Sequence, residues 1–146
     1  MNMARLVDTL IRHEGSIKRN GRHFPYKDTT GHLTIGYGRN LTDKGVSEEE
    51  ARTLLANDVQ EVINALRGNY HWFGQLDSVR QEVVINMAFN LGIVGFSKFR
   101  ATIRHIASGD YEQAAINMLE SKWATQVKGR ALELAMMMKT GTMQRV

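Results

Sequence analysis

Two carboxylates stand where local structure gives them little to do. Glu14 closes an apolar-periodic segment at the N-terminus and is followed at once by Gly15, while Asp28 stands in Tyr26–Lys27–Asp28–Thr29–Thr30–Gly31. A glutamate at the C-terminal end of a helix faces the negative end of the dipole, at a cost of roughly a few tenths of a kcal/mol. The chemistry open to two carboxylates is proton donation by one and charge stabilisation or water activation by the other. An Asp–Thr pair before a glycine is also a common turn, and an exposed glutamate is also an ordinary solvated charge. Other chemistries lack their residues. No glycine-rich phosphate loop and no serine in a nucleophile elbow is present, and the histidines at 13, 23, 32, 71 and 105 lack the i, i+4 spacing of a helical zinc pair. With no cysteine either, neither a metal nor a cofactor is expected.

The elements that must position these groups follow from periodicity. Leu6, Val7, Leu10 and Ile11 mark a short amphipathic helix over 3–13 that ends near Gly15. Between Ile17 and Tyr37 the pattern changes to short runs punctuated by glycine, asparagine and proline, which predicts a small twisted β-meander with turns at Asn20–Gly21 and Thr30–Gly31. Pro25, the only proline, belongs where no ladder N–H is needed. Ser47 and Glu50 form a capping box, and Ala51, Leu54, Leu55, Val59, Val62, Ile63 and Leu66 define one face of a helix over 48–67. That helix would be about 30 Å long, enough to connect two lobes.

A second helix, over 76–91, carries apolar residues nearly all round and should centre the core; further helices are expected over 96–107, 110–121 and 128–139, with Asp110 as a cap. Met136–Met137–Met138 suits core filling, with room for one exposed member. Trp123 is expected in the core, and Trp72 is compatible with either core or sugar stacking.

A chain of 146 residues with 42% hydrophobic and 23% charged residues suits one domain. Its net charge of +4 favours polyanions in general, whether nucleic acid, anionic lipid or an acidic wall. No basic stripe concentrates on one predicted helix, so a nucleic-acid partner is not expected. The first fourteen residues are interrupted by Arg5, Asp8, Arg12 and His13, so no signal peptide and no stable membrane insertion is expected.

The ordered string of motifs carries more. Glu14–Gly15, then Tyr26-x-Asp28-x-x-Gly31, then Leu33–Thr34–Ile35–Gly36–Tyr37–Gly38 resembles the phage-type lysozymes, the T-even bacteriophage lysozyme family (glycoside hydrolase family twenty-four). The likeness continues through Ser47–Leu66, Ile85–Gly92, Gly95–Phe96, Ala114–Ala115, Trp123, Gly129–Arg130–Ala131 and Thr140–Gly141–Thr142.

That resemblance implies an α+β, mainly helical lysozyme-like domain over 1–146. Its small β lobe would span about 14–46, its helical lobe about 60–146 plus the N-terminal helix 3–13, and an interlobe helix about 48–67. It further implies a muramidase, cleaving the β-1,4 bond between N-acetylmuramic acid and N-acetylglucosamine in peptidoglycan. Matched by position, Glu14 is the general acid, Asp28 the second carboxylate, and Thr34 the threonine near the attacking water. Tyr26, Phe89 and Asn90 support or line the cleft, and Arg130 pairs with the acid from the opposite lobe. An inverting reaction is implied, with carboxyl groups about 6.5–9.5 Å apart. A monomer is expected, made in the host bacterial cytoplasm and reaching the wall on release. The alternatives are a peptidoglycan-binding or phage structural module that kept the fold without catalysis and a lytic transglycosylase, which needs no water-activating aspartate. Three departures from the family pattern fall in the small lobe: Ile17–Pro25 is longer, Arg39–Val46 is shorter, and Arg39 stands where a histidine is expected.

Overall fold

The computed structural model of the protein describes residues 1–144. Helix α1 spans Met3–Glu14. Asn2 caps it by accepting the Arg5 N–H, and Gly15, at φ 62°, ends it by donating to the Ile11 carbonyl. The helix is one residue longer than its apolar pattern indicates, which brings Glu14 into its last turn. Strands β1 (Lys18–Arg19) and β2 (Arg22–His23) pair through Asn20 and Gly21, both at positive φ (52° and 76°), as a primed two-residue turn requires.

A separate antiparallel sheet follows, in the order β3 (Tyr26–Lys27), β4 (Leu33–Ile35), β5 (Arg39–Asn40). The expected single meander is thus two sheets. The break falls at Phe24–Pro25, where the proline has no N–H to continue a ladder.

Helix α2 covers Glu48–Asn69, and its capping box forms as the residue types dictate. The Ser47 N–H donates to Glu50 Oε1 at 2.8 Å, and the Glu50 N–H donates to Ser47 Oγ at 3.1 Å. A 3₁₀ turn, Phe73–Gln75, then leads into α3 (Ser78–Ser97), capped by Asp77. Gly92 leaves the helical conformation (φ 77°, ψ 160°), so the expected end near residue 91 is a break inside α3. Phe96 therefore belongs to α3, and α4 begins later than anticipated, at Arg100, running to Ser108. Then come α5 (Tyr111–Leu119) with Asp110 as its cap, α6 (Lys122–Val127) and α7 (Gly129–Thr140). Helix α6 was not anticipated; Ser121 caps it by accepting the Ala124 N–H.

The fold is α+β, with its strands in the N-terminal third and helices thereafter. Two compact units are distinguished, Met1–Thr53 and Leu54 onward, with the boundary inside α2. Contacts group α1 with the strands, where the sequence alone assigned it to the helical lobe. Every buried apolar side chain among the described residues lies between Leu66 and Met138. Trp72 and Trp123 are both core, and of the three consecutive methionines only Met136 is exposed. Helix α3 is buried along Val83, Val84, Met87 and Ala88, but Phe89 is 41% exposed, so it is not buried all round. Among the described residues no helix is long and apolar enough to cross a membrane.

Candidate active site

Glu14, Tyr26, Asp28 and Thr34 all fall in the first unit. Register defines their relation along the sheet: Tyr26 faces Thr34, Lys27 faces Leu33, and the Asp28 N–H donates to the His32 carbonyl at 2.9 Å. Asp28 thus closes one end of the β3–β4 hairpin. The other end of β4 enters the turn Gly36–Tyr37–Gly38, and there Glu14 Oε2 lies 3.8 Å from where a side-chain carbon on Gly38 would stand. Gly38 has φ 102°, a conformation L side chains avoid, so the turn stays bare beside the carboxylate. Thr34 lies between these ends.

Each group has a definite electrostatic setting. Asp28 Oδ1 accepts three hydrogen bonds, from the Thr30 N–H (2.9 Å), the Thr30 hydroxyl (2.8 Å) and the His32 N–H (2.9 Å). The His32 backbone bond first, and then the Thr30 hydroxyl, hold its carboxyl below the usual aspartate range. Its Oδ2 lies 3.5 Å from His32 Nδ1, and His32 Nε2 lies 3.2 Å from Asp43 Oδ2. Thr34 is the one buried residue of the first unit, and its hydroxyl donates to the His32 carbonyl at 3.1 Å. The hydroxyl proton is committed, but oxygen lone pairs remain to accept from water. Glu14 is exposed. The Tyr26 hydroxyl donates to the Gly36 carbonyl at 3.5 Å, bracing β3 against the start of the turn.

The remaining site candidates lie in the second unit. Phe89 is shared by two hollows. One, of about 380 Å³, is lined by Asp58, Glu61, Val62, Ala65 and Gly92 among others; the second, of about 350 Å³, has Leu55, Val59, Glu82, Asn86 and Arg130 on its walls. Arg130 directs Nε and Nη2 to Asn86 Oδ1, at 2.9 and 2.6 Å. Asn90 accepts the indole N–H of Trp123 at 2.8 Å, so its amide serves the packing of α3 against α6.

Sequence reasoning missed two residues that hold these elements. Arg39 grips Glu50 with both guanidinium ends, Nη1 to Oε1 at 2.6 Å and Nη2 to Oε2 at 2.5 Å, and also donates to the Gly45 carbonyl. The Arg39 bonds and the Ser47 N–H push the Glu50 carboxyl down to about 2. Arg80 stacks on Tyr111 and donates to the carbonyls of Met138 and Lys139, closing the C-terminus of α7. The replacement of an expected histidine by Arg39 was the only signal for the first; nothing local marks the second. Among the described residues no cluster of three or more histidine or acidic side chains could hold a metal ion.

Comparison with known proteins shows what the chain is similar to. A family model described as phage lysozyme matches residues 17–139, a span that contains Asp28, Thr34, Phe89, Asn90 and Arg130 and begins three residues after Glu14. Probable T4-type lysozyme 2 of Dictyostelium discoideum is 28% identical over 148 residues, covering 82% of this chain and 87% of that protein. Probable T4-type lysozyme 1 of the same organism is 23% identical, covering 81% and 86%. The pre-baseplate central spike protein Gp5 of Enterobacteria phage T4 is 30% identical over 118 residues, which are 77% of this chain but 20% of the spike protein.

Proposed function

The chain belongs to the phage lysozyme family, and from that premise we propose that it is a muramidase using Glu14 as general acid, with Asp28 and Thr34 placing the attacking water. As a lysozyme it is a glycoside hydrolase whose substrate is bacterial peptidoglycan. The bond proposed for cleavage is the β-1,4 link between N-acetylmuramic acid and N-acetylglucosamine, with inversion at the anomeric carbon. The protein acts as a monomer, made in the host cytoplasm and released to the wall.

One observation carries the assignment: a single strand, β4, separates the two carboxylates, with Glu14 at the turn after it and Asp28 at the hairpin before it. Departure of the leaving sugar needs a proton on its oxygen, and Glu14, on the bare side of Gly38, has open access to deliver it. A carboxylate held below its usual range stays ionised, so Asp28 orients water through Oδ2 and steadies the oxocarbenium-like transition state. It also takes the proton that the water sheds as its oxygen bonds to the anomeric carbon. Thr34, with its proton given to His32, accepts from the same water and leaves a lone pair on that water aimed at the sugar.

Lysis of permeabilised bacterial cells by wild type and Glu14→Gln is the test. The variant should lose activity on the order of 10³-fold with an unchanged thermal midpoint, because an exposed side chain is replaced by one of equal size. Asp28→Asn and Thr34→Ala should follow with smaller losses. Near-normal lysis by Glu14→Gln would remove the acid assignment, and an anhydro-sugar product would make the enzyme a lytic transglycosylase instead.

A further inference from the structure

Resting on the function proposed above, we infer that the β1–β2 hairpin is a cationic arm that binds the carboxylates of the peptides attached to the glycan being cut. The stretch from Gly15 to Lys27 contains Lys18, Arg19, Arg22 and Lys27 and no acidic residue. Its charge alone equals the net +4 of the whole chain, so the basic excess is concentrated here.

The arm is anchored rather than loose. Lys18 pairs with His23 and Arg19 with Arg22 across the ladder, and the Phe24 N–H donates to the Ile17 carbonyl at 2.9 Å. Ser16 Oγ and His23 Nδ1 are 2.7 Å apart. Two cations lie over aromatic rings: Lys18 Nζ is 5.6 Å from the centre of Tyr37, and the Arg19 guanidinium is 3.9 Å from that of Phe24. Stacking fixes the face of the Arg19 guanidinium and leaves its in-plane N–H fork, the geometry that takes a carboxylate bidentately. Arg22 has an interaction of its own, so Lys18 and Arg19 are the residues on which binding is assigned.

Position decides which anion. The ring under Lys18, also met edge-on by His23 at 5.0 Å, belongs to Tyr37, between Gly36 and the Gly38 that Glu14 approaches. The arm therefore stands on the same turn as the proton donor. What it meets is whatever the sugars next to the scissile bond carry, and in peptidoglycan those substituents are peptides bearing free carboxylates. A distant phosphate polymer of the envelope has no such tie to the reacting bond.

The experiment measures co-sedimentation of the Glu14→Gln protein with insoluble sacculi freed of phosphate polymers. It compares native sacculi with sacculi whose peptide carboxylates have been converted to neutral amides. Glu14→Gln should bind native sacculi roughly fivefold tighter than amidated ones, the size expected for two exposed charge contacts. Adding Lys18→Gln and Arg19→Gln should reduce binding on native sacculi to the amidated level and change nothing on amidated ones. Equal binding of Glu14→Gln to both preparations overturns the inference, as does an equal loss on both in the triple variant. A preference that emerges only when phosphate polymers are left on the wall overturns it too. Sugar release into the supernatant by Glu14→Gln would sink the acid assignment instead, and is read in the same tubes without affecting the binding comparison.

Discussion

The two compact units are held together by different physics. From Leu66 to Met138 the helices bury nineteen apolar side chains, several of them fully, around Phe96, Met87 and Met138. Among residues 1–53 no apolar side chain is buried, and the single buried residue is a threonine. Conformation there is specified by hydrogen bonds: the three donors on Asp28 Oδ1, the reciprocal Ser47–Glu50 cap, the Arg39 clamp and positive-φ glycines at the turns. Such interactions each contribute only about 1 kcal/mol net, but they are directional. The unit that places the proposed catalytic groups trades bulk stability for fixed orientation. The helical unit supplies the opposite, a large non-directional term proportional to buried area.

A core substitution breaks this contrast most strongly. Phe96→Ala removes a side chain with no exposed surface and should destabilise the protein by about 3–5 kcal/mol, read as a shift in chemical denaturation midpoint. Leu33→Ala in β4, 42% exposed, should cost well under about 1 kcal/mol in the same measurement. If the two cost the same, the first unit has an apolar core of its own and the contrast fails.

How far each unit was legible in the sequence follows the same division. Helical periodicity and caps are local signals, so α2, α5 and α7 stand close to where Leu54–Leu66, Asp110 and the methionine run place them. The continuation of α3 past Gly92 was not legible, because a glycine break and a helix end look alike until Phe96 is seen to be buried. Helix α6 is six residues long, too short for a period to register. In the first unit the turns were legible from Asn20–Gly21 and Thr30–Gly31, since those residue types have few alternatives. The Arg39–Glu50 clamp was not, because an ion pair eleven residues apart leaves no pattern in a chain rich in both charges. Asp28 was legible as a turn and as a carboxylate: Oδ1 builds the loop, and Oδ2, beside His32 Nδ1, is the oxygen proposed to orient water.

A smaller effect sharpens the comparison from the polar side. Arg39→Met keeps the aliphatic stem and removes both bonds to Glu50 and the one to Gly45. The Glu50 carboxyl lies at about 2 when folded against an ordinary value of 4.5, so the clamp's contribution is fully present above about pH 4.5 and is lost as pH falls toward 2. Urea denaturation of the two proteins across pH should therefore show a constant deficit for Arg39→Met from neutral pH down to about 4.5, closing below it. A deficit that grows with acidity, or none at any pH, would mean that the clamp does not hold β5 to the start of α2.

The smallest effect concerns a place where the helical unit also relies on directional bonds. Arg130 and Asn86 are exposed or half-exposed, and three contacts join them, two to the amide oxygen and one to the carbonyl at 3.4 Å. Solvent competes for both partners, so Arg130→Ala and Asn86→Ala should each cost about 1 kcal/mol or less. The double variant should cost no more than the worse single, since the residues share one interaction. Activity separates what stability cannot. Asn86 touches the guanidinium and fixes its direction, so if Arg130 acts on the glycan, Arg130→Ala lowers kcat/KM further than Asn86→Ala, whose arginine is loosened but still charged. If the pair only joins α3 to α7, both variants keep wild-type kcat/KM. In that case the groups proposed to do the chemistry, Glu14, Asp28 and Thr34, all belong to the hydrogen-bonded first unit.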